Sequence, residues 1–383
     1  MDFNLTEQQK MMQKLFREVA QNEVKENAAD VDENERFPKE SVEVMRQAKM
    51  LGIPYPREYG GAGADYLSYI LAVEELSKTC ATTGVVLSAH TSLGTWPIAQ
   101  FGTETQKQKY LPDLCTGKKL AAFGLTEPNA GSDAAAAKTK AISQGDEYII
   151  NGSKCFISNM GQDEGDYVIL IVLTDPEKKT KGMSAIIVDR DTPGFTVPKT
   201  EDKMGLRAAP VSELYFDECH VPKSQLLGEE GKGFAIAMAG LDGGRIGMAS
   251  QAVGLAESCI AESVEYSTQR VQFGKPVNAN QGLQWYLADM ATKTEAAKAL
   301  TLNAAALRQA GKNITKEAAM AKYYASETAV EVANKALQIH GGYGYMKEYA
   351  IERQYRDARI ITIYEGTSEV QKMVISRAVI NGK

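Results

Sequence analysis

The chain of 383 residues has 44% hydrophobic and 24% charged residues, a composition typical of a globular protein with room for two or three domains. Its formal net charge of -6 argues against sequence-independent binding of nucleic acid, which needs a basic surface. It has five widely spaced cysteines without a CxxC pair and only three histidines, so we expect reduced thiols in a cytoplasmic protein and no metal site. The N-terminus lacks the basic and apolar pattern of a signal peptide, and no hydrophobic run is long enough to cross a membrane.

The first third of the chain predicts a domain of helices. A first helix begins after Asn4 or Thr6, either of which can serve as its N-cap, and a second continues from Ser41. The glycine-rich run 59–63 then breaks the pattern, and a third helix covers residues 67–76.

The middle of the chain predicts a small β domain. Short β-rich runs, such as residues 167–173 and 184–188, are bounded by glycine, aspartate and proline. Two further runs flank Asn151 and Gly152, a pair that predicts a hairpin turn. Long helical patterns do not alternate with these strands, which argues against a Rossmann domain.

The last part of the chain is helical again. Apolar residues recur at steps of three, four or seven from Leu283 to Leu307, which predicts one long helix with a single apolar face. The alanine-rich run 318–336 suits closely packed helices. Since no low-complexity linker separates the three zones, we expect them to pack as one unit.

Two glycine-rich segments allow two interpretations each. FGLTEPNAGSD, residues 123–133, is either a loop that enters the β domain or a backbone that approaches a flat polar ligand. LDGGRIG, residues 241–247, either kinks a helix or lets another group approach its backbone, because adjacent glycines cost helix stability. Arg245 within it either binds a phosphate or pairs with Asp242.

Two further segments lie nearer the C-terminus. QIHGGYGY, residues 338–345, is typical of a helix that ends in a glycine C-cap. IYEGTSEV, residues 363–370, either begins a helix with Thr367 or Ser368 as N-cap, or presents Glu365 as a base whose pKa is raised by apolar neighbours. The local pattern leaves both interpretations open.

The order and spacing of these segments resemble the acyl-CoA dehydrogenase family, most closely its short-chain branch, the butyryl-CoA dehydrogenases. The motifs FGTETQKQKYLP, NGSKCFISN, EDKMGLR, LLGEEGKGF, QRVQFGKP and RDARI extend the resemblance along nearly the whole chain. It implies an α+β multidomain fold with a helical N-terminal domain (1–120), a barrel-like β domain (121–228) and a C-terminal four-helix bundle (229–383).

The resemblance implies an FAD-dependent enzyme that removes hydrogen from the α and β carbons of a short-chain acyl-CoA thioester. Glu365 matches the family's catalytic base, and we expect its neighbours Ile363 and Tyr364 to keep it dry. Family members exchange electrons with an electron-transferring flavoprotein and are usually homotetramers with FAD at subunit contacts. The same residues serve the reverse reduction of an enoyl-CoA, so the sequence leaves the direction open.

The matched motifs also imply which residues contact the two ligands. For FAD they are Phe123, Leu125, Thr126, Ser132, Phe156, Ile157, Ser158, Arg270, Phe273, Gln281, Gln338, Gly341, Gly342, Thr367 and Glu369. For the acyl-CoA they are Ser132, Asp242, Gly243, Gly244, Arg245, Tyr364 and Gly366. Some branches of the family carry their base at the position of Gly244, which leaves Glu365 as the candidate base in this chain.

Four residues depart from the family pattern. Phe156 and Ser158 stand where many relatives have tryptophan and threonine, and both keep the ring and the hydroxyl group. His90 and Trp96 differ from the small or cysteine-containing versions of the segment that closes the acyl pocket. A branched or aromatic acyl group therefore stays open, as do an enoyl-CoA reductase in an electron-bifurcating complex and a catalytically silent acyl-CoA-binding paralogue.

Overall fold

The computed structural model describes residues 5–382 and begins with a layer of helices. The first helix has Thr6 as its N-cap, so one of the two predicted caps is confirmed. The Thr6 hydroxyl accepts from the Gln9 N–H and the Gln9 side chain accepts from the Thr6 N–H, which together form a capping box. The other candidate, Asn4, lies outside the described residues. The helices are α1 (Glu7–Val19), α2 (Ala28–Glu33), α3 (Lys39–Gln47), α4 (Tyr66–Ser77), α5 (Ala81–Ser88), α6 (Trp96–Phe101) and α7 (Glu104–Cys115), with a π-helical turn, Ala89–Thr95, between α5 and α6.

The middle of the chain forms one mixed sheet. Its strands are β1 (Ala121–Gly124), β2 (Lys140–Gln144), β3 (Glu147–Ser158), β4 (Tyr167–Leu173), β5 (Met183–Asp189), β6 (Phe195–Thr196), β7 (Val211–Pro222) and β8 (Leu226–Leu227). They lie in the order β6-β7-β3-β2-β4-β5-β8, and β1 pairs with β4 in parallel. The two predicted runs at 167–173 and 184–188 are β4 and the centre of β5, and both are almost wholly buried.

The predicted hairpin turn at Asn151 and Gly152 is wrong. Both residues lie inside β3, which continues through them and pairs with β7 on either side of a bulge. Gly152 has a φ of 144°, and a side chain there would stand 2.7 Å from the Thr139 hydroxyl oxygen. The glycine therefore serves a bulge and a close approach rather than a turn. The turn of this hairpin lies at Gly145, between β2 and β3.

Long helices form the C-terminal part, as the apolar periodicity predicts. They are α8 (Gly233–Gln269), α9 (Gln281–Gln309), α10 (Thr315–His340), α11 (Ala350–Ile361) and α12 (Ser368–Ile380), with a small hairpin, β9 (Val271–Gln272) and β10 (Lys275–Pro276), between α8 and α9. Helix α10 packs against α8, α9, α11 and α12, and its many buried alanines allow the close approach. Within residues 5–382, none of the helices has the length and apolar character that a membrane span requires.

Helix α8 joins the three parts into one unit. Its middle, including Val253, belongs to a core shared with α4 and α10. Its first turns, including Ala237, belong to a second core with Tyr110 of α7 and Ile169 of β4. Groups that face the middle of α8 are therefore held by elements of both helical domains.

Candidate active site

The segment between α11 and α12 carries Glu365 in a strained backbone conformation. Glu365 has a φ of 53° and Gly366 a φ of 96°, so both lie in the left-handed region, which a residue with a side chain rarely adopts. The hydroxyl of Thr367 then accepts from the Val370 N–H at 3.3 Å and caps α12, as one of the two predicted caps. The helix start and the candidate base are thus both present, with Gly366 between Glu365 and the cap residue Thr367.

Three hydrogen bonds from α10 and α12 hold the turn at Glu365 and Gly366. The ammonium of Lys322 on α10 donates to the Gly366 carbonyl at 2.7 Å. The side-chain amide of Gln371 on α12 donates to the same carbonyl at 2.8 Å and to the Glu365 carbonyl at 3.2 Å. The sequence assigned a role to neither residue: Lys322 lies in an alanine-rich helix, and Gln371 directly follows IYEGTSEV.

The Glu365 carboxylate lies directly against α8. A side chain on Gly244 would stand 2.1 Å from the Glu365 Oε2 atom and 3.1 Å from Leu93. That Oε2 atom is buried and has no hydrogen-bond partner among the described residues. Burial raises the pKa of Glu365 to about 7, while the positive charges of Lys322 and Arg245 act in the opposite direction. The carboxyl group is therefore poised to gain and lose a proton near neutral pH.

The expected role of Ile363 in keeping the base dry is wrong for the chain as described. Ile363 is 46% exposed. Tyr364 is half-buried, and its hydroxyl donates to the Gln251 side chain on α8. Leu93 and the Glu365 carboxylate both border the space beside Gly244.

The glycine pair of LDGGRIG serves close approach, since α8 continues through it as a helix. A side chain on Gly243 would stand 2.5 Å from the Arg308 guanidinium of α9. Arg245 is buried and donates to Asp242 at 2.7 Å, which is the pairing that local sequence allowed. Its Nε atom is also buried and has no partner among the described residues.

Arg308 is a second group that sequence analysis missed. Its guanidinium lies 4.9 Å from the ring centroids of both Tyr66 and Trp96. The Tyr66 hydroxyl donates to the Gly243 carbonyl at 3.0 Å. This stack covers the same stretch of α8 that Glu365 contacts, although its three members are far apart in the sequence.

His90, by contrast, belongs to the fold and not to an acyl pocket. It is fully buried, its Nε2 lies 3.0 Å from the Leu114 carbonyl, and its Nδ1 accepts from the Ala121 N–H at 3.2 Å. Burial lowers the pKa of His90 to about 4, so the ring is neutral and ties α7 to β1. Its departure from the family pattern therefore carries no information about the acyl group.

The candidate flavin segments of the middle domain lie side by side. The Cys155 N–H donates to the Thr126 carbonyl at 2.9 Å, which joins the loop after β1 to the end of β3. Buried Lys154 donates to the Leu125 carbonyl at 3.1 Å and to Glu127 at 2.8 Å, which fixes the loop. Phe156 follows with a φ of 59° and is 71% exposed.

The other predicted contacts of this region divide by exposure. The side chains of Leu125 and Ile157 are buried in the cores, so only their backbones face outward. Phe123, Thr126 and Ser158 are half-buried, and Ser132 is exposed on the loop. Ser132 makes no hydrogen bond to the Glu365 segment among the described residues.

The remaining predicted cofactor contacts lie at the far end of the helical domain. The Arg270 guanidinium lies 5.2 Å from the centroid of the Tyr343 ring, so the ends of α8 and α10 meet. Phe273, in the β9–β10 hairpin, is 98% exposed. Four other predicted residues of this end are exposed as well: Gln281, Gln338, Gly341 and Gly342. Within one chain they do not reach Glu365, but Thr367 and Glu369 adjoin it in sequence.

Comparison with known proteins places this geometry in a family. Residues 6–118, 122–219 and 231–380 match the family models described as acyl-CoA dehydrogenase N-terminal, middle and C-terminal domain. The chain belongs to the acyl-CoA dehydrogenase family. The match confirms the predicted family, the three-part α+β architecture and the enzyme class, an oxidoreductase that acts on CH–CH bonds.

Three relatives align with this chain over nearly the whole length of both proteins. A short-chain specific acyl-CoA dehydrogenase of Clostridium acetobutylicum is 54% identical over 98% of this chain and 99% of its own. A caffeyl-CoA reductase–Etf complex subunit of Acetobacterium woodii is 47% identical over 97% of this chain and 98% of its own. The structure of butyryl-CoA dehydrogenase from Megasphaera elsdenii superposes with a TM-score of 0.96 at 48% identity, over 99% of this chain and 100% of that one.

Proposed function

We propose that this chain binds FAD and dehydrogenates a short-chain acyl-CoA thioester between its α and β carbons, with Glu365 as the base. The observation that carries the proposal is the Glu365 carboxylate. Its Oε2 atom is buried and has no hydrogen-bond partner within residues 5–382, and burial raises the pKa of Glu365 to about 7. A base with a pKa near the working pH can both take a proton and release it in the next turnover.

The residues present fit a flavin. Phe156 offers a largely exposed aromatic ring beside the half-buried Ser158 hydroxyl, which suits stacking against a flat ring system. Gly131 has open space where a side chain would stand, so a ligand can approach that loop's backbone. We propose Phe156 and the segment from Phe123 to Ser132 as the ring site, and Arg270 and Gln281 for the pyrophosphate and adenosine side. When bound, FAD accepts the hydride from the β carbon.

The chain's own residues have three tasks in this proposal. Glu365 removes the α-proton, which moves to a carboxylate oxygen. The backbone N–H of Glu365 is proposed to polarise the thioester carbonyl as that proton leaves. Gly244 leaves room for the carboxylate itself to lie against α8, since the Oε2 atom lies where a side chain at Gly244 would stand.

The reverse reaction, reduction of an enoyl-CoA, is the second candidate. It is favoured by the similarity to a subunit of a caffeyl-CoA reductase–Etf complex. The same base then delivers the α-proton, so its pKa near neutrality serves either direction. Electron-transferring flavoprotein is the proposed electron partner in both cases, and a branched or aromatic acyl group fits the second.

The organisation of the protein is proposed on similar grounds. We place the domain boundaries after residues 120 and 228, close to the starts of β1 and α8. The exposure of Phe273 and of the neighbouring predicted cofactor contacts supports a homotetramer in which a second subunit completes the FAD site. All five cysteines are buried and unpaired, which supports a cytoplasmic location.

The proposal is tested by a visible spectrum of the purified protein, followed by anaerobic titration with butyryl-CoA. We expect a flavin spectrum that bleaches. Glu365→Gln is expected to keep the flavin and lose the bleaching, while Glu348→Gln, at an exposed carboxylate of the same domain, behaves as wild type. Bleaching in Glu365→Gln would remove the assigned base, and a colourless protein that FAD does not reconstitute would favour the silent paralogue. The reductase would be favoured if no saturated thioester bleaches the flavin and if an arylacrylyl-CoA reoxidises the reduced flavin.

A further inference from the structure

Lys322 is a fully buried lysine within the body of the helical domain. It lies on α10 and has no exposed surface. Lysine is almost never fully buried unless an opposite charge accompanies it. Among the described residues, no carboxylate lies within ion-pair distance of its ammonium, and its hydrogen bond goes to the Gly366 carbonyl at 2.7 Å. A single hydrogen bond to a carbonyl group does not by itself offset the cost of burying the Lys322 ammonium, so the burial of this charge needs a further reason.

The reason lies in the charges that face it. Burial lowers the pKa of Lys322 to about 8, and Glu365 is the strongest of the charges that oppose this shift. Arg245 repels Lys322, but the Arg245 charge is already balanced by Asp242 at 2.7 Å. Glu327 and Glu369 favour the charged form of Lys322 more weakly, and Glu327 accepts a hydrogen bond from the Ser368 hydroxyl.

Three further groups around Glu365 are uncharged near neutral pH. They are the phenols of three tyrosines, and burial raises the pKa of each: Tyr66 to about 12, Tyr69 and Tyr364 further. Among the described residues, Lys322 and Arg308 are the positive charges near Glu365 that no carboxylate balances. Arg308 lies against Gly243 and the rings of Tyr66 and Trp96, whereas Lys322 hydrogen-bonds the turn that carries Glu365.

We propose that Lys322 is a positioning residue for the base: its ammonium fixes the left-handed turn at Glu365 and Gly366 and holds the neighbouring carboxylate in its charged form. This role rests on the proposed function of Glu365 as base. The hydrogen bond supports the strained turn, and the charge offsets part of the cost of burying a carboxylate.

Gln371 separates the two effects. Its amide donates to the Glu365 and Gly366 carbonyls at 3.2 and 2.8 Å, so it tethers the same turn. It carries no charge, so its loss removes a tether without changing the electrostatic potential at the carboxylate. Lys322 supplies both a tether and a charge.

The test measures the rate of flavin reduction by butyryl-CoA against pH. In Lys322→Met, the acid limb of the profile is expected to move to higher pH by on the order of one unit. The rate should then fall about fivefold at pH 7 and approach the wild-type rate above pH 9. In Gln371→Met we expect a lower rate at every pH with the limb in its wild-type position. A merely structural role for Lys322 would give the second pattern in both variants.

A direct readout does not depend on turnover. Infrared titration of the protonated Glu365 carboxyl group, assigned by its absence in Glu365→Gln, should show the same upward shift of its pKa in Lys322→Met. Lys322→Gln keeps a hydrogen-bond donor and removes the charge. It replaces Lys322→Met in both measurements if the methionine variant does not fold. Lys322→Arg is expected to restore the acid limb, because it keeps the charge. Lys335→Met, at a surface ion pair of the same helix, is the control and should match wild type.

The two levels of the proposal fail in different ways. If Glu365→Gln still reduces its flavin, the base itself is wrongly assigned. If Glu365→Gln is inactive but the infrared titration and the acid limb do not move in any folded variant that lacks the Lys322 charge, only the role of Lys322 is overturned.

Discussion

Replacement of Gly244 by alanine tests the position of the base most directly. The added Cβ would stand 2.1 Å from the Glu365 Oε2 atom and 2.9 Å from its Cδ, so the carboxylate has to retreat by about 1 Å to reach an ordinary contact. Because that carboxylate is the end of a flexible side chain, the fold tolerates the change while the base moves. A misplacement of about 1 Å costs on the order of 100-fold in rate, which is about 2.7 kcal/mol of activation free energy.

The same change should not harm stability. Alanine is a better helix former than glycine by roughly 0.5–1 kcal/mol, so Gly244→Ala is expected to keep or raise the melting temperature. Gly240→Ala is the matched control, one turn earlier on α8, where the added Cβ meets Trp96 at an ordinary 3.9 Å. Single-turnover flavin reduction and thermal unfolding measure the two effects separately. A Gly244→Ala enzyme that reduces its flavin at the wild-type rate would refute the placement of the carboxylate against α8.

Three further outcomes follow from the buried and exposed charges. Arg270→Ala should lower the flavin content that survives dialysis, whereas Arg46→Ala, at an exposed ion pair, should not; equal retention would contradict the cofactor role. The pKa of His90 falls to about 4, below its unfolded value, so its contribution of about 3 kcal/mol is present above pH 6.5 and is lost as pH falls toward 4. His90→Gln should therefore flatten the melting temperature between those pH values, and an unchanged slope would argue against a neutral buried ring. The pKa of Glu365 is raised instead, from 4.5 to about 7, so the fold loses stability progressively as pH rises from 4.5 to 7, and Glu365→Gln should melt higher than wild type at pH 8.5 but not at pH 4.

The sequence predicts the elements whose pattern is local. Strand β4 matches its predicted bounds, residues 167–173, because an unbroken apolar run between polar residues leaves no other buried conformation. Helix α4 exceeds its prediction, 67–76, by one residue at each end, and Asp65 supplies its cap. The cap at Thr367 is likewise readable from the hydroxyl ahead of an apolar run.

The errors arise where distant contacts outweigh the local signal. Asn151 and Gly152 are the usual residues of a hairpin turn, but β7 pairs on both sides of them and Thr139 packs against the bare glycine. Lys322 is 43 positions before Glu365, in an alanine-rich helix that gives no sign of a polar task. Its role depends on its hydrogen bond to the Gly366 carbonyl, which forms only because α10 packs against the turn that carries Glu365.

The candidate site combines a strained turn with rigid surroundings. The left-handed Glu365 costs on the order of 1–3 kcal/mol by itself, so it persists only where other contacts over-determine it. Those contacts come from Lys322 on α10, Gln371 on α12 and Gly244 on α8, and both α8 and α10 share one core with the N-terminal domain. The strain is therefore balanced by the packing of the whole helical assembly. It follows that cavities made in this core, even far from Glu365, should reduce the rate before they unfold the protein, because the strained conformation of the base depends on that packing.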